Sequence, residues 1–165
     1  EPLPPARPPE SKQPAGHLPS ELPLQIIVAE DNLNNQKVIR LILKQAGSNA
    51  TIVENGALAL DALETSRFDV VILDMQMPVM DGVTAMKKIR EKFAGRLDRP
   101  YCIALTANAF VEDEQTCMAA GFDKYFSKPI TVSKLRAALA VAAEKTRFTS
   151  KPHEEQNNPN GEDGK

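Results

Sequence analysis

Three acids, a hydroxyl and an amine stand at the ends of apolar runs. Glu30-Asp31 follow Gln25–Ala29, Asp74 closes Val70-Val71-Ile72-Leu73, Thr106 follows Cys102–Leu105, and Lys128-Pro129 come just after Lys124–Phe126. Brought to one place, the acids repel, each pair by about 4 kcal/mol at 4 Å in an effective dielectric near 20. Lys128 supplies one compensating charge. A hard divalent cation bound through one or two carboxylates and waters supplies the rest, which is the habit of Mg2+, and the all-oxygen donor set argues against zinc or copper. A cation and an ammonium beside a carboxylate suit phosphoryl transfer, because both neutralise charge on the moving phosphoryl oxygens. Asp74 is the candidate nucleophile, forming an aspartyl phosphate. Thr106 can donate a hydrogen bond to one phosphoryl oxygen and Lys128 can pair with another. Gln76 stands two positions after Asp74, where a second acid would serve an aspartate phosphatase as general acid and base. The acyl phosphate is therefore expected to outlive a phosphatase intermediate, as suits a signal.

These residues can meet only if the runs become neighbouring strands. The runs Gln25–Ala29, Ala50–Val53, Val70–Leu73, Cys102–Leu105 and Lys124–Phe126 are short and apolar, as strands buried on both faces are. Helical patterns fall between and after them. The first starts near Asp31-Asn32, good capping types, and ends at Gly47. Others run from Gly56 to about Ser66, over about Val83–Phe93, from about Ala109 to Gly121, and over about Val132–Lys145. This alternation predicts an α/β fold, a (βα)5 flavodoxin-like, doubly wound parallel sheet of strand order 2-1-3-4-5, too short for an eight-unit barrel. Ligands of such sheets bind in the crevice beyond the strands' carboxyl ends, where all five groups would sit.

Composition sets the boundaries. The 165 residues, 42% hydrophobic and 25% charged, fit one globular domain. Eight of the 13 prolines lie in residues 1–23, which read as a disordered, extended linker. From about Thr149 the chain turns polar, with too little apolar surface to offset ordering, so 24–146 is the expected folded unit and 147–165 a disordered tail. A chain that begins at Glu1 between such flanks is expected to be a piece of a longer polypeptide. A net charge of −2 and no run of about 18 apolar residues disfavour direct nucleic-acid binding and membrane spanning, and the N-terminus lacks the apolar centre of a signal peptide. A cytoplasmic location is expected. His17 and His153 lie in the flanks, which removes histidine-based hydrolase chemistry from the folded part. Cys102 and Cys117 read as buried thiols rather than a disulfide or zinc pair.

Together, Ile26-Ile27-Val28-Ala29-Glu30-Asp31-Asn32, Asn35-Gln36, Leu73 to Gly82, Ala104-Leu105-Thr106-Ala107-Asn108-Ala109 and Lys128-Pro129 resemble the receiver domain of two-component response regulators, in the form attached to hybrid histidine kinases. The resemblance covers nearly all of 24–146. It implies that Asp74 accepts phosphate from a phosphohistidine on a histidine kinase or a histidine phosphotransfer domain, in cis or in trans. It implies a Mg2+ site made by Glu30, Asp31, Asp74 and the backbone carbonyl of Gln76. Thr106 becomes the switch hydroxyl, Lys128 the phosphate-binding lysine, Tyr125 the aromatic switch residue, and Lys128-Pro129 a cis peptide. Glu30 departs from the aspartate found there in many relatives, though glutamate is common in the hybrid subgroup. Tethering to a membrane-bound sensor kinase would fit this family.

Blander readings compete residue by residue. Asp31 alone would read as a helix N-cap, and Asp81, before Gly82, reads as a cap or loop residue. Lys128 alone would be a solvated lysine and Tyr125 a half-buried strand aromatic. Met75, Met77 and Met80 read as packing rather than a sulfur metal site. On the first helix, Val38, Ile39, Leu41, Ile42, Leu43 and Ala46 span an arc of roughly 200°, wider than a core-facing stripe. Ile39 and Leu43 are expected to be the surplus, either packed on neighbouring helices or free to dock a phosphotransfer domain. The competing function is a phosphorylation-independent protein-binding module on the same fold.

Overall fold

A computed structural model of the chain describes residues 24–150, with side chains through residue 146. The expected linker over 1–23 and the polar segment beyond Ser150 lie outside the described residues. The apolar runs form parallel strands β1 (Ile26–Ala29), β2 (Ala50–Val53), β3 (Val70–Asp74), β4 (Tyr101–Thr106) and β5 (Lys124–Ser127). They make one sheet of order β2-β1-β3-β4-β5, as expected. Between and after them lie α1 (Leu33–Gln45), α2 (Gly56–Thr65), α3 (Gly82–Lys92), α4 (Val111–Ala120) and α5 (Val132–Ser150). The last helix continues past Lys145, where the sequence pattern placed its end, so residues 147–150 belong to α5.

Alternate side chains of each inner strand enter two separate cores, which is why these strands read as unbroken apolar runs. Ile27, Val71, Leu73, Cys102 and Ala104 pack under α2, α3 and α4 with Ala59, Met86, Ile89 and Cys117. Ile26, Val28, Ile72 and Ile103 pack under α1 and α5 with Ile39, Leu43, Leu135 and Leu139. Of the two readings of α1, packing holds and docking through Ile39 and Leu43 does not: these two are 4% and 1% exposed against α5 and the sheet, and the apolar residues facing outward are Leu33, Val38 and Leu41. The cysteines are buried as expected, and burial pushes their thiols up to about 12 at Cys102 and about 11 at Cys117.

Short polar side chains start three of the helices. Asn32 accepts from the N–H groups of Asn34 and Asn35, Asn55 from that of Leu58, and Asp81 from that of Thr84 at 2.7 Å, each satisfying donors a helix start leaves open. Asp81 is thus a cap, and Asn32 rather than Asp31 caps α1. The start of α4, at Phe110, has no such bond, but Glu112, Asp113 and Glu114 in its first turn favour the positive end of the helix dipole. Gly121, at φ +104°, ends α4 in the left-handed region, and the N–H groups of Gly121 and Phe122 return to Cys117 O.

Candidate functional site

Register brings the strand ends together. Ala29 lies beside Leu73, Leu73 beside Ala104 and Asp74 beside Leu105, so Glu30, one residue past β1, and Asp74 emerge side by side. Thr106 pairs with Ser127 across the β4–β5 edge, and the N–H of Lys128 donates to Thr106 O at 2.7 Å. The Lys128-Pro129 peptide is cis. Gly82 lets α3 start against this edge, since a Cβ there would collide with the carbonyl oxygen of Asp74.

Glu30, Asp74 and Thr106 are buried polar residues, 2%, 5% and 6% exposed, while Asp31 is exposed at the mouth. Carboxylate oxygens of Glu30, Asp31 and Asp74 lie within 4.8 Å of one another. Lys128 Nζ bridges two of them, at 2.7 Å from Glu30 Oε2 and 2.7 Å from Asp74 Oδ2. The N–H of Gln76 donates to Asp74 Oδ1 at 3.1 Å, so Gln76 enters the site through its backbone. The Thr106 hydroxyl oxygen accepts from the N–H of Asn108 at 3.2 Å, which leaves its proton to donate elsewhere. Tyr125 OH donates to Asn108 O at 2.8 Å, placing the ring beside the loop that follows Thr106.

The electrostatics follow from burial and from Lys128. Burial pushes the Asp74 carboxyl above its ordinary range, and the adjacent Glu30 charge pushes the same way, against hydrogen bonds from Lys128 and Gln76. Burial alone would also raise Glu30, but bonds from Lys128, the Asn32 N–H and Asn35 outweigh it and hold the carboxyl below its ordinary value. Lys128 is raised: its burial opposes charge, and the two carboxylates more than compensate. Three carboxylates against one ammonium give these groups a net charge of −2. A small divalent cation fits that deficit and that oxygen-only donor set. An open depression of about 480 Å3 beside the acids, lined by Asp31, Met75, Gln76, Met77, Pro78 and Asp81, gives access from solvent. A cavity of about 300 Å3 toward the amino ends of the strands, lined by Arg67, Arg99, Asp123 and Lys145 among others, has Asp123 paired with Arg99 and Lys145 in its wall.

Of the residues predicted for the site, Glu30, Asp31, Asp74 and Lys128 meet at the carboxyl ends of the strands, Gln76 touches Asp74 through its N–H, Thr106 ends the neighbouring strand β4, and Tyr125 lies one strand further out on β5. Two contributors escaped prediction. Asn35 Nδ2 donates to Glu30 Oε1 at 3.3 Å and Gln36 Nε2 to Glu30 O at 2.7 Å, although both stood only as part of a motif. Val79 is a second surprise: it sits at φ +70° in the loop after Asp74, with Met80 N–H bonded to Pro78 O at 2.8 Å, the pattern of a strained γ-turn. Nothing in the sequence marks it, since valine is a poor residue for that conformation.

A family model of the response regulator receiver domain matches residues 26–140. Hybrid signal transduction histidine kinases H and K of Dictyostelium discoideum are 40% and 33% identical to the chain over 124 and 126 residues. Each match covers 73% of this chain but only 9% and 10% of the kinase, so the chain spans about a tenth of the length of these relatives. The receiver domain of sensor histidine kinase PA1611 from Pseudomonas aeruginosa, crystallised with a magnesium ion coordinated in its active-site cleft, matches at a TM-score of 0.67 and 35% identity. That match covers 74% of this chain and 98% of the other. Among the described residues no helix is long and apolar enough to cross a membrane. With a matching family model across most of the described fold and the same elements in the same order, the chain belongs to the response regulator receiver domain family.

Proposed function

We propose that Asp74 is a phosphoacceptor, taking a phosphoryl group from a phosphohistidine of a histidine kinase or histidine phosphotransfer domain, in cis or in trans. The observation that carries this reading is the Lys128 bridge between two buried carboxylates, Glu30 and Asp74, beside a third acid with no cation of its own. In the step, an Asp74 oxygen forms the new O–P bond as the N–P bond of the donor breaks, and the imidazole leaves with the bonding pair. Lys128 releases Asp74 Oδ2 toward a phosphoryl oxygen while Glu30 Oε2 keeps it in place. The Thr106 hydroxyl turns its proton to another phosphoryl oxygen, and Tyr125 follows the loop that moves with Thr106. Glu30, Asp31, Asp74 and the Gln76 carbonyl would hold Mg2+, which when bound neutralises charge on the phosphoryl oxygens. No side-chain acid or base follows Asp74 at position 76, so the domain dephosphorylates slowly and stores the group for a conformational output or onward transfer. As part of a hybrid kinase the domain would work in the cytoplasm, free or tethered to a membrane-bound sensor.

The test is incubation with a phosphohistidine donor or acetyl phosphate, with and without Mg2+, followed by intact-mass measurement. The expected result is a gain of one phosphate that needs Mg2+ and disappears in Asp74→Asn. A folded protein that stays unmodified under both donors would turn the assignment to a phosphorylation-independent binding module.

A further inference from the structure

Glutamate at position 30 creates a positioning problem that aspartate would not. Its carboxylate sits on an arm one methylene longer, with one more free torsion, at the end of a strand and beside a like charge. The structure resolves this by stitching Glu30 to the first turn of α1. Oε1 accepts from the main-chain N–H of Asn32 at 3.1 Å and from Asn35 Nδ2 at 3.3 Å, while Oε2 is left to Lys128. Gln36 Nε2 donates to Glu30 O at 2.7 Å and fixes the backbone from which that arm extends. Asn35 lies on the exposed side of α1 and makes no other side-chain hydrogen bond among the described residues, and asparagine is a poor helix residue, so local propensity does not explain it. A carboxylate only accepts, so the amide must present its nitrogen to Glu30.

We infer that Asn35 is a positioning residue that locks the Glu30 carboxylate into the acidic site, a role that the longer acid at position 30 requires. The inference rests on the metal reading given under Proposed function. Outer partners of this kind orient the groups that face a metal, and their loss weakens metal binding by about tenfold or more. Asn35→Ala should therefore lower Mn2+ affinity by about tenfold, measured by electron paramagnetic resonance on the otherwise intact chain without any phosphodonor. A high-resolution structure of metal-free Asn35→Ala should show Glu30 spread over several rotamers, with α1 unchanged.

The decisive comparison uses Glu30→Asp, whose shorter arm draws the carboxylate out of reach of Asn35. In that background Asn35→Ala should change Mn2+ affinity by less than about twofold, because the coupling between the two positions is gone. Gln36→Ala, acting on the backbone, should weaken binding in both backgrounds. An equal loss from Asn35→Ala with either acid, or wild-type affinity in Asn35→Ala itself, overturns the inference while leaving the metal reading intact. Absence of Mn2+ binding by the unaltered protein removes that reading and this inference together.

Discussion

Replacing Asp31 by Asn should stabilise the metal-free protein and cripple its response to Mg2+. Asp31 faces Glu30 and Asp74, each with an oxygen within 4.8 Å, and Lys128 touches the other two acids but not Asp31. The surroundings of Asp31 thus carry one net negative charge. At 4.8 Å that repulsion is about 3.5 kcal/mol in an effective dielectric of 20 and about 0.9 kcal/mol in water. Asp31 is exposed, so the lower figure governs, and salt reduces it further. A gain of at most about 0.9 kcal/mol in a domain of this size raises the melting temperature by no more than roughly 3 to 4 °C. Mg2+ reverses the order. At a concentration one hundred times its dissociation constant a ligand of the native state adds about 2.7 kcal/mol, and Asp31→Asn, lacking one carboxylate, should realise only a fraction of that. Thermal unfolding followed by circular dichroism, in EDTA and across a Mg2+ series at constant ionic strength, should show the two proteins' curves crossing. Lower stability of Asp31→Asn in EDTA, or an Mg2+-dependent rise equal to that of the unaltered protein, would refute the charge argument.

Gly82→Ala should lower stability by about 1 to 3 kcal/mol, because the new methyl meets the rigid carbonyl of Asp74 rather than a flexible side chain; urea midpoints measure it, and an unchanged midpoint would mean the backbone yields freely. Ile39→Lys and Leu41→Lys, two positions apart on α1, should part company: the first places a charge at a site 4% exposed and costs more than about 2 kcal/mol, while the second, at a 57% exposed site, stays within about 0.5 kcal/mol. Comparable losses in the two would contradict the orientation of α1. Glu30 has a folded pKa below its ordinary 4.5, so the stability it contributes is present above that value and is lost as pH falls through the lower, folded one. Glu30→Gln should therefore flatten the acid limb of a plot of urea midpoint against pH below 4.5, and an unaltered limb would exclude Glu30 as a source.

The three inner strands were readable because each is an apolar run ended by a polar residue, and burial on both faces removes the ambiguity of which side chains point inward. Asp81 was readable as a cap because its neighbours Gly82 and a helical pattern leave a short acid little else to do. The outward face of α1 was not readable. Its apolar arc includes Ile39, Leu43, Val38 and Leu41, and only the positions of β1 and α5 decide which of these are covered. The role of Asn35 was hidden for a different reason: its partner, Glu30, precedes the helix, so helical spacing cannot connect them. The end of α5 was lost because Lys145, Thr146 and Arg147 are polar yet compatible with a helix, and polarity alone does not terminate one.

All strands of the sheet run the same way, so the connections divide into two kinds. Those leaving carboxyl ends, at 30–32, 54–55, 75–81, 107–110 and 128–131, lie at the end that holds the acids, the hydroxyl and the lysine. Those at the other end, such as the stretch from Phe93 to Pro100 with Leu97 88% exposed, touch none of them. A reporter, an affinity handle or a whole inserted domain placed between Ala94 and Leu97 should fold with the chain and leave the acidic edge unaltered. The architecture thus offers a side for chemistry and a side for attachment.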